Sequence, residues 1–159
     1  GRESYPWANL ILQLNKNPKV NIFFFDTNKN ESMINRDSIM YEKIRNQYKQ
    51  QPTWKMVTLS GNYHNKAYSG NTMIYYLKSD KELNISSKIC SLNLEYKQGF
   101  AMANFKHGLE LKELGSPPFV YNSTLDCERY LLLVSSKSYY EYTGLYYTKN
   151  ITAAKMTSE

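Results

Sequence analysis

The feature that most constrains the fold is a succession of short segments rich in aromatic and β-branched residues, each bounded by turn residues. They lie at 19–26, 53–62, 71–79, 88–96, 100–105, 109–114, 127–134 and 139–147. Segments of this length and composition are typical of β-strands. In 88–96 the apolar residues also alternate with polar ones, as they do on a strand with one buried face. The sequence therefore predicts eight strands, most of them joined by short turns such as 97–99.

Short turns favour antiparallel neighbours, and strands linked in order leave two edges to protect. Closure into a barrel removes both edges at once. We therefore predict a single domain over 1–159 that is all-β, an eight-stranded antiparallel up-and-down barrel. Such a barrel has room for its own side chains or for one small ligand. A β-sandwich is the structural alternative, but it normally needs Greek-key crossings, which a run of short hairpins disfavours.

The first third of the chain differs from the rest. The apolar stretch 7–14 after Pro6 predicts a short N-terminal helix. The polar stretch 27–51 has two interpretations. Met40, Ile44 and Tyr48 repeat at four-residue spacing, which predicts a second helix that Ser38 could cap; a long inserted loop is the alternative.

Composition excludes several classes of protein. With 42% hydrophobic and 21% charged residues, the chain has enough apolar material for a core and is not typical of disorder. The net charge of +6 permits an acidic partner, but the basic residues are dispersed and match no nucleic-acid motif. The longest apolar runs are too short to cross a bilayer. We therefore expect neither nucleic-acid binding nor membrane insertion.

No catalytic or metal-binding pattern is present in the sequence. Both histidines, His64 and His107, lie in polar turns, where a solvated side chain is the ordinary outcome. Metal binding would need three or four converging ligands, and no cluster offers them. The sequence predicts a monomeric protein that is not an enzyme and carries no cofactor.

The cysteines and glycosylation sequons bear on the compartment. Cys90 and Cys127 are the only cysteines, a number that fits one disulfide or two free thiols. Sequons at Asn30, Asn84, Asn122 and Asn150 favour the oxidising, secretory alternative. The chain begins at Gly1 without Met, as expected of a processed or trimmed chain. We predict a secreted protein whose one disulfide joins Cys90 to Cys127, with Cys90 on the apolar face of its strand.

Several of these segments resemble one family. Residues 48–54, Tyr-Lys-Gln-Gln-Pro-Thr-Trp, resemble the stretch before the second strand of tick salivary lipocalins, the family that includes histamine-binding proteins. Residues 73–80 are similar to their third strand, 127–134 to a strand that begins with cysteine, and 139–147 to the Tyr-rich strand that follows. The resemblance implies a secreted, ligand-binding barrel that modulates host immune defence.

The chain departs from that family in its cysteines and in its first strand. The family usually carries four or more cysteines, and none lies near Thr58, where one would be expected. Only Cys127 matches a family cysteine. The first strand of the resemblance fits either 19–26 or 39–48, and the sequence leaves both open.

The inward faces of the predicted strands indicate the ligand class. Lys55 belongs in solvent, so its neighbours Trp54 and Met56 are placed inside. Gln51 stands where the family has an acid, which removes a partner for an amine such as histamine or serotonin. The predicted lining is apolar and aromatic: Phe24, Trp54, Met56, Met73, Tyr75, Leu77, Leu92, Leu94, Phe100, Met102, Leu109 and Leu111.

Three functions follow from these features. The first is capture of a small hydrophobic molecule, such as a sterol, fatty acid or eicosanoid, in the barrel. The second is sequestration of a biogenic amine, which the missing acid disfavours. The third uses the barrel as a scaffold, with the stretch 27–51 contacting a host receptor or another immune-cell protein.

Overall fold

A computed structural model describes residues 5–27, 35–68, 70–105, 108–114, 129–133 and 141–151. Its helices are α1 (Tyr5–Asn15), α2 (Arg36–Gln50) and α3 (Met73–Ser79), with short 3₁₀ turns at Asn62–Asn65 and Ser86–Lys88. Its strands are β1 (Leu92–Phe105), β2 (Gly108–Leu114), β3 (Arg129–Leu133) and β4 (Gly144–Ile151).

The four strands form one sheet in the order β2-β1-β4-β3. The predicted eight-stranded barrel is therefore wrong: the described residues contain four strands and three α-helices. Two predicted strands, 19–26 and 53–62, have no strand structure, and a third, 71–79, is helical. A β-rich composition supplies local preference only, whereas a strand also needs a neighbour that completes its hydrogen bonds.

The β1–β2 hairpin is the best-predicted part of the sheet. The strands are antiparallel, and their pairing runs from Gly99 opposite Leu114 to Phe105 opposite Gly108. The predicted strands 100–105 and 109–114 are confirmed, and the turn between them lies outside the described residues. The predicted turn at 97–99 is wrong, because β1 continues through it and Gly99 is paired.

The other predicted strands are confirmed in part. The segment 88–96 becomes a strand only from Leu92, and 127–134 contains β3. The segment 139–147 overlaps β4, which begins later, at Gly144, and ends later, at Ile151. β3 and β4 are neighbours in the sheet, as expected for the final pair of strands.

The predicted third strand is the helix α3, and the reason lies in its first turn. The Thr72 hydroxyl accepts a hydrogen bond from the Tyr75 N–H at 3.3 Å, which is an N-cap contact, and donates to the Lys66 carbonyl at 2.6 Å. Met73, Ile74 and Leu77 are buried and share one helical face. The apolar run therefore has a helical period, and its tertiary contacts outweigh the β-preference of its Ile and Tyr residues.

α2 confirms the prediction of a helix within the stretch 27–51. The two alternatives, a long inserted loop and a first strand at 39–48, are wrong. Met40 and Ile44 are buried, as their spacing predicted, and α2 packs against α3. The cap was misplaced: Asn35, not Ser38, is the N-cap, and its side chain makes no capping hydrogen bond. α1 confirms the predicted N-terminal helix.

The chain divides into two compact units. One holds the described residues of 25–94 and 131–146, with α2 and α3. Of the ten apolar residues that are buried among the described ones, nine lie in this unit, and Tyr147 lies in the other. The other holds α1, β2 and most of β1. The lipocalin-like architecture predicted for 1–159 is wrong, and the prediction of a single domain stays a prediction. In the part of the chain that the structure describes, no helix is long and apolar enough to cross a membrane.

Candidate interaction surface

The residues predicted to line a ligand cavity differ widely in burial where the structure describes their side chains. Met73 and Leu77 are buried on one face of α3. Phe24 is 79% exposed, Phe100 46% and Trp54 43%, which excludes them from a buried lining. Tyr75 and Leu94 are also exposed, whereas Met56 and Leu92 are half-buried. The side chains of Met102, Leu109 and Leu111 lie outside the described set, although their strands are defined.

An ionic cluster joins α2 to the end of α3. The Asp80 carboxylate accepts from Arg45 Nε at 2.8 Å, from the Tyr41 hydroxyl at 2.9 Å, and from the N–H groups of Glu82 and Leu83 at 2.8 and 3.1 Å. Burial opposes ionisation of this carboxyl, but these four hydrogen bonds outweigh it and lower the pKa of Asp80 to about 2. The cluster therefore holds two helices together by an ionised, nearly buried carboxylate.

The same cluster extends to the surface and to the tyrosine ring. Glu82 forms ion pairs with Arg45 and Lys49. Burial, and then its hydrogen bond to Asp80, raise the pKa of Tyr41 to about 12. The hydroxyl thus stays protonated and remains a donor through the neutral range. All these groups satisfy one another, which is typical of a structural network.

A second junction fixes the start of α2. Arg36 forms a two-pronged ion pair with Asp26, with distances of 2.8 and 2.6 Å. The Lys43 ammonium donates to the Asp26 carbonyl at 2.9 Å. These contacts tie Asp26 to the first two turns of α2. Asp26 ends the stretch 19–26, which was predicted to be a strand and has no strand structure.

His64 is held by a carboxylate from α2. Its Nδ1 lies 3.0 Å from Asp37 Oδ1, and the same carboxylate oxygen accepts from the Met73 N–H at 2.7 Å. A carboxylate that orients a histidine is a component of catalytic triads. Here, within the described residues, no serine or cysteine side chain bonds to His64, and Asp37 instead holds the N-terminus of α3. The arrangement is that of a structural contact, and the predicted solvated position of His64 is wrong. His107 lies outside the described residues.

The described residues also lack a metal-binding cluster, since no group of three histidine, cysteine or acidic side chains converges among them.

The most unusual surface is the exposed segment, which we define as residues 54–63. Val57 is 89% exposed, Tyr63 60% and Leu59 59%, and Trp54 is also largely accessible. Met56, Thr58 and Ser60 alternate with them and are half-buried. Several accessible large apolar side chains in one short segment mark an interaction site more often than isolated ones do.

The main chain of the exposed segment is equally accessible. Within the part of the chain that the structure describes, the N–H and C=O groups of residues 55–59 make no hydrogen bond. Backbone groups without a protein partner need water or another chain. The segment thus offers both apolar side chains and unpaired main-chain groups.

Both ends of the segment are fixed. At its start the Trp54 N–H donates to the Gln51 carbonyl at 3.1 Å. At its end the Ser60 hydroxyl donates to Asn65 Oδ1 at 2.6 Å, and the Tyr142 hydroxyl donates to the Asn62 carbonyl at 3.0 Å. Tethered ends reduce the conformational entropy that binding would otherwise remove.

Sequence reasoning assigned this surface to the wrong role. The sequence predicts that inward and outward side chains alternate in this segment, and Met56, predicted to be inward, is half-buried. Trp54 does not, and the outward positions after Lys55 carry Val57 and Leu59 rather than polar residues. That apolar outward row was the available signal, and the assumption of a barrel interior obscured it.

The predicted modification sites have mixed positions. Asn84 and Asn150 are exposed, as a glycan acceptor must be. Asn84 lies in a turn with φ of 51°. Asn150 lies on β4, where its side-chain oxygen accepts a hydrogen bond from the Gln98 amide at 3.0 Å. Asn30 and Asn122 lie outside the described residues. Glycosylation at these sites stays a prediction.

Cys90 is an exposed free thiol in the structure, and its predicted partner Cys127 lies outside the described residues. The apolar, inward position predicted for Cys90 is wrong, because the strand begins only at Leu92. We expect native protein to react rapidly with a thiol reagent such as Ellman's reagent, because the reagent can reach an exposed thiol.

The residue that carries the label shows whether Cys90 is a free thiol or is joined to Cys127 in a disulfide. Peptide mapping of the labelled native protein should find the label on Cys90, and Cys90→Ser should lose that label. Labelling of Cys90 only after reduction would instead establish the disulfide.

Comparison with the models of known protein families, with curated proteins and with solved structures finds no match for this chain. The resemblance to tick salivary lipocalins therefore stays a prediction. Of the four segments that carry it, 73–80 is mostly the helix α3 and 48–54 is the end of α2 with the turn after it.

Proposed function

We propose that this chain is a non-catalytic protein-binding module that contacts a partner protein through the exposed segment. The observation that carries the proposal is the row of accessible apolar side chains at Trp54, Val57, Leu59 and Tyr63. Aromatic and large aliphatic side chains of this kind are the usual anchors of protein interfaces. Of the three functions considered from the sequence, contact with a partner protein is the one that does not depend on a barrel interior.

The contact surface differs from the one expected at 27–51. In α2, Met40 and Ile44 are turned into the core and Arg45 is engaged with Asp80, so much of that helix is used internally. In the exposed segment, by contrast, Val57 and Leu59 are turned outward. Its fixed ends also support recognition by a surface that is already organised before binding.

Charge supports a partner with acidic groups. Lys55 is the one charged residue between positions 51 and 63, it is exposed, and the chain carries a net charge of +6. Complementary charge speeds association and selects among partners. The sequons and the resemblance support an extracellular setting, and we propose a secreted protein whose partner is of the immune-cell class.

The proposal is tested by one substitution with a matched control. A panel of purified extracellular domains of immune-cell proteins is measured against the protein by surface plasmon resonance. Leu59→Asp should weaken binding by at least about tenfold, as loss of an interface anchor does. Leu12→Asp on α1 is the control, because Leu12 is 60% exposed and Leu59 59%.

Each result bears on the proposal. Loss of binding with the Leu59 variant alone supports it. Equal effects of the two variants, or no binding by any domain of the panel, would contradict it.

A further inference from the structure

We infer that the exposed segment recognises its partner by β-strand addition, so that the partner contributes an extended, acidic peptide segment that pairs with residues 55–59. The inference rests on the proposed function and specifies the kind of partner. It follows from three properties of the segment that occur together: unpaired main-chain groups, alternating side chains and a single positive charge.

The main-chain groups carry the first step. Residues 55–59 have the composition of a strand, with Val57 and Thr58 at their centre, and the sequence predicts a strand there. In the structure these residues form no strand, and their N–H and C=O groups make no hydrogen bond among the described residues. A local preference for strand without a neighbour to pair with is the condition that an added strand satisfies.

The side chains carry the second step. Val57 and Leu59 are exposed on one side, whereas Met56, Thr58 and Ser60 are half-buried. Directly opposite residues in a paired strand lie on the same face, so a partner would place apolar side chains opposite Val57 and Leu59. The expected partner sequence therefore has apolar residues at alternate positions.

The charge carries the third step and favours a different chain over a second copy. Lys55 is exposed and no ion pair engages it within the described residues. A carboxylate on the partner strand would face it, whereas two copies of a chain with net charge +6 repel each other. The structure thus points to a strand with alternating apolar residues and at least one acid.

The experiment uses a displayed library of random linear 12-residue peptides, selected against the full chain and counter-selected against Leu59→Asp. An enriched peptide is synthesised, and amide hydrogen exchange of the chain is followed by NMR with and without it. Strand pairing uses only alternate amides of an edge. We therefore expect exchange to slow by about fivefold at every second residue of 55–59, the factor that corresponds to a net hydrogen-bond strength of about 1 kcal/mol.

The peptide provides a second, independent readout. N-methylation of its alternate amides in one register should abolish binding, and methylation in the other register should leave it nearly unchanged. Mutation of the acidic residue to its amide should weaken binding and reduce its salt dependence.

The remaining outcomes overturn the inference in distinguishable ways. A peptide that binds without alternating protection would retain the proposed function and exclude strand addition. Failure to enrich any linear peptide would also exclude it, while the domain panel still decides the proposed function. Protection of the same amides by dimer formation without peptide would make a second copy the partner and reject the acidic one.

Discussion

Asp80→Ala should lower the free energy of unfolding by about 2–3 kcal/mol, the cost of removing a nearly buried, charged hydrogen-bond acceptor. The side chain of Asp80 is 6% exposed and that of Arg45 is 20% exposed. The substitution leaves the Arg45 guanidinium and the Tyr41 hydroxyl without their acceptor, and the N–H groups of Glu82 and Leu83 lose theirs. Urea denaturation followed by circular dichroism measures the change.

Two further variants separate charge from shape. Asp80→Asn keeps the size of the side chain and should cost less than Asp80→Ala, because an amide oxygen can still accept from the main chain. Glu42→Gln, at an exposed carboxylate on α2, the helix that carries Arg45, should change stability by less than about 0.5 kcal/mol. Similar values for Asp80→Ala and Glu42→Gln would show that the cluster contributes no stability.

The pH dependence of stability tests the same carboxylate. The pKa of Asp80 is lowered from an ordinary value of 3.8 to about 2 in the folded protein. A lowered folded-state pKa contributes stability that is complete above the unfolded pKa and is lost as pH falls towards the folded one. The stability of the parent protein should therefore decline between about pH 4 and pH 2, and the decline should be shallower in Asp80→Asn. Parallel curves for the two proteins would argue against an ionised Asp80.

Leu145→Ala should lower the free energy of unfolding by about 2–5 kcal/mol, the range for truncating a large side chain in a packed core. Leu145 is fully buried at the start of β4, in the same compact unit as the buried Met40 and Met73. Removal of its side chain loses apolar contacts and leaves a cavity that the fixed strand cannot fill.

The matched control is Leu133→Ala, which makes the same chemical change in the same sheet at a residue that is 64% exposed. It should alter stability by less than about 0.5 kcal/mol. Thermal and urea unfolding of both variants give the comparison. Equal destabilisation by the two substitutions would contradict the burial pattern of the sheet.

Local sequence determined the elements whose stabilising contacts lie close along the chain. The hairpin of β1 and β2 follows from two strand-like runs separated by a short polar stretch, and its register joins residues that are near neighbours in sequence. α2 follows from the four-residue spacing of Met40 and Ile44, which needs no knowledge of what buries that face. These patterns are periodic, and periodicity is readable without tertiary information.

Tertiary structure decided the elements whose local preference was mixed. The run after Thr72 has the β-preferring residues of a strand, yet it is helical because Thr72 caps it, Asp37 binds the Met73 N–H and Met73 is buried. Asp37 lies 36 positions earlier in the chain, so no local rule contains that contact. The same holds for Arg45 and Asp80, which are 35 positions apart.

The exposed segment shows both what the sequence determines and what only the tertiary structure decides. The sequence alone determined its alternation, because the order of Lys55, Met56, Val57, Thr58 and Leu59 is fixed in the chain. Only the tertiary structure decided that its apolar side chains are accessible and that, among the described residues, no strand lies beside its main chain. A strand is completed by hydrogen bonds to a neighbour, and whether that neighbour exists is a property of the whole fold, not of the segment.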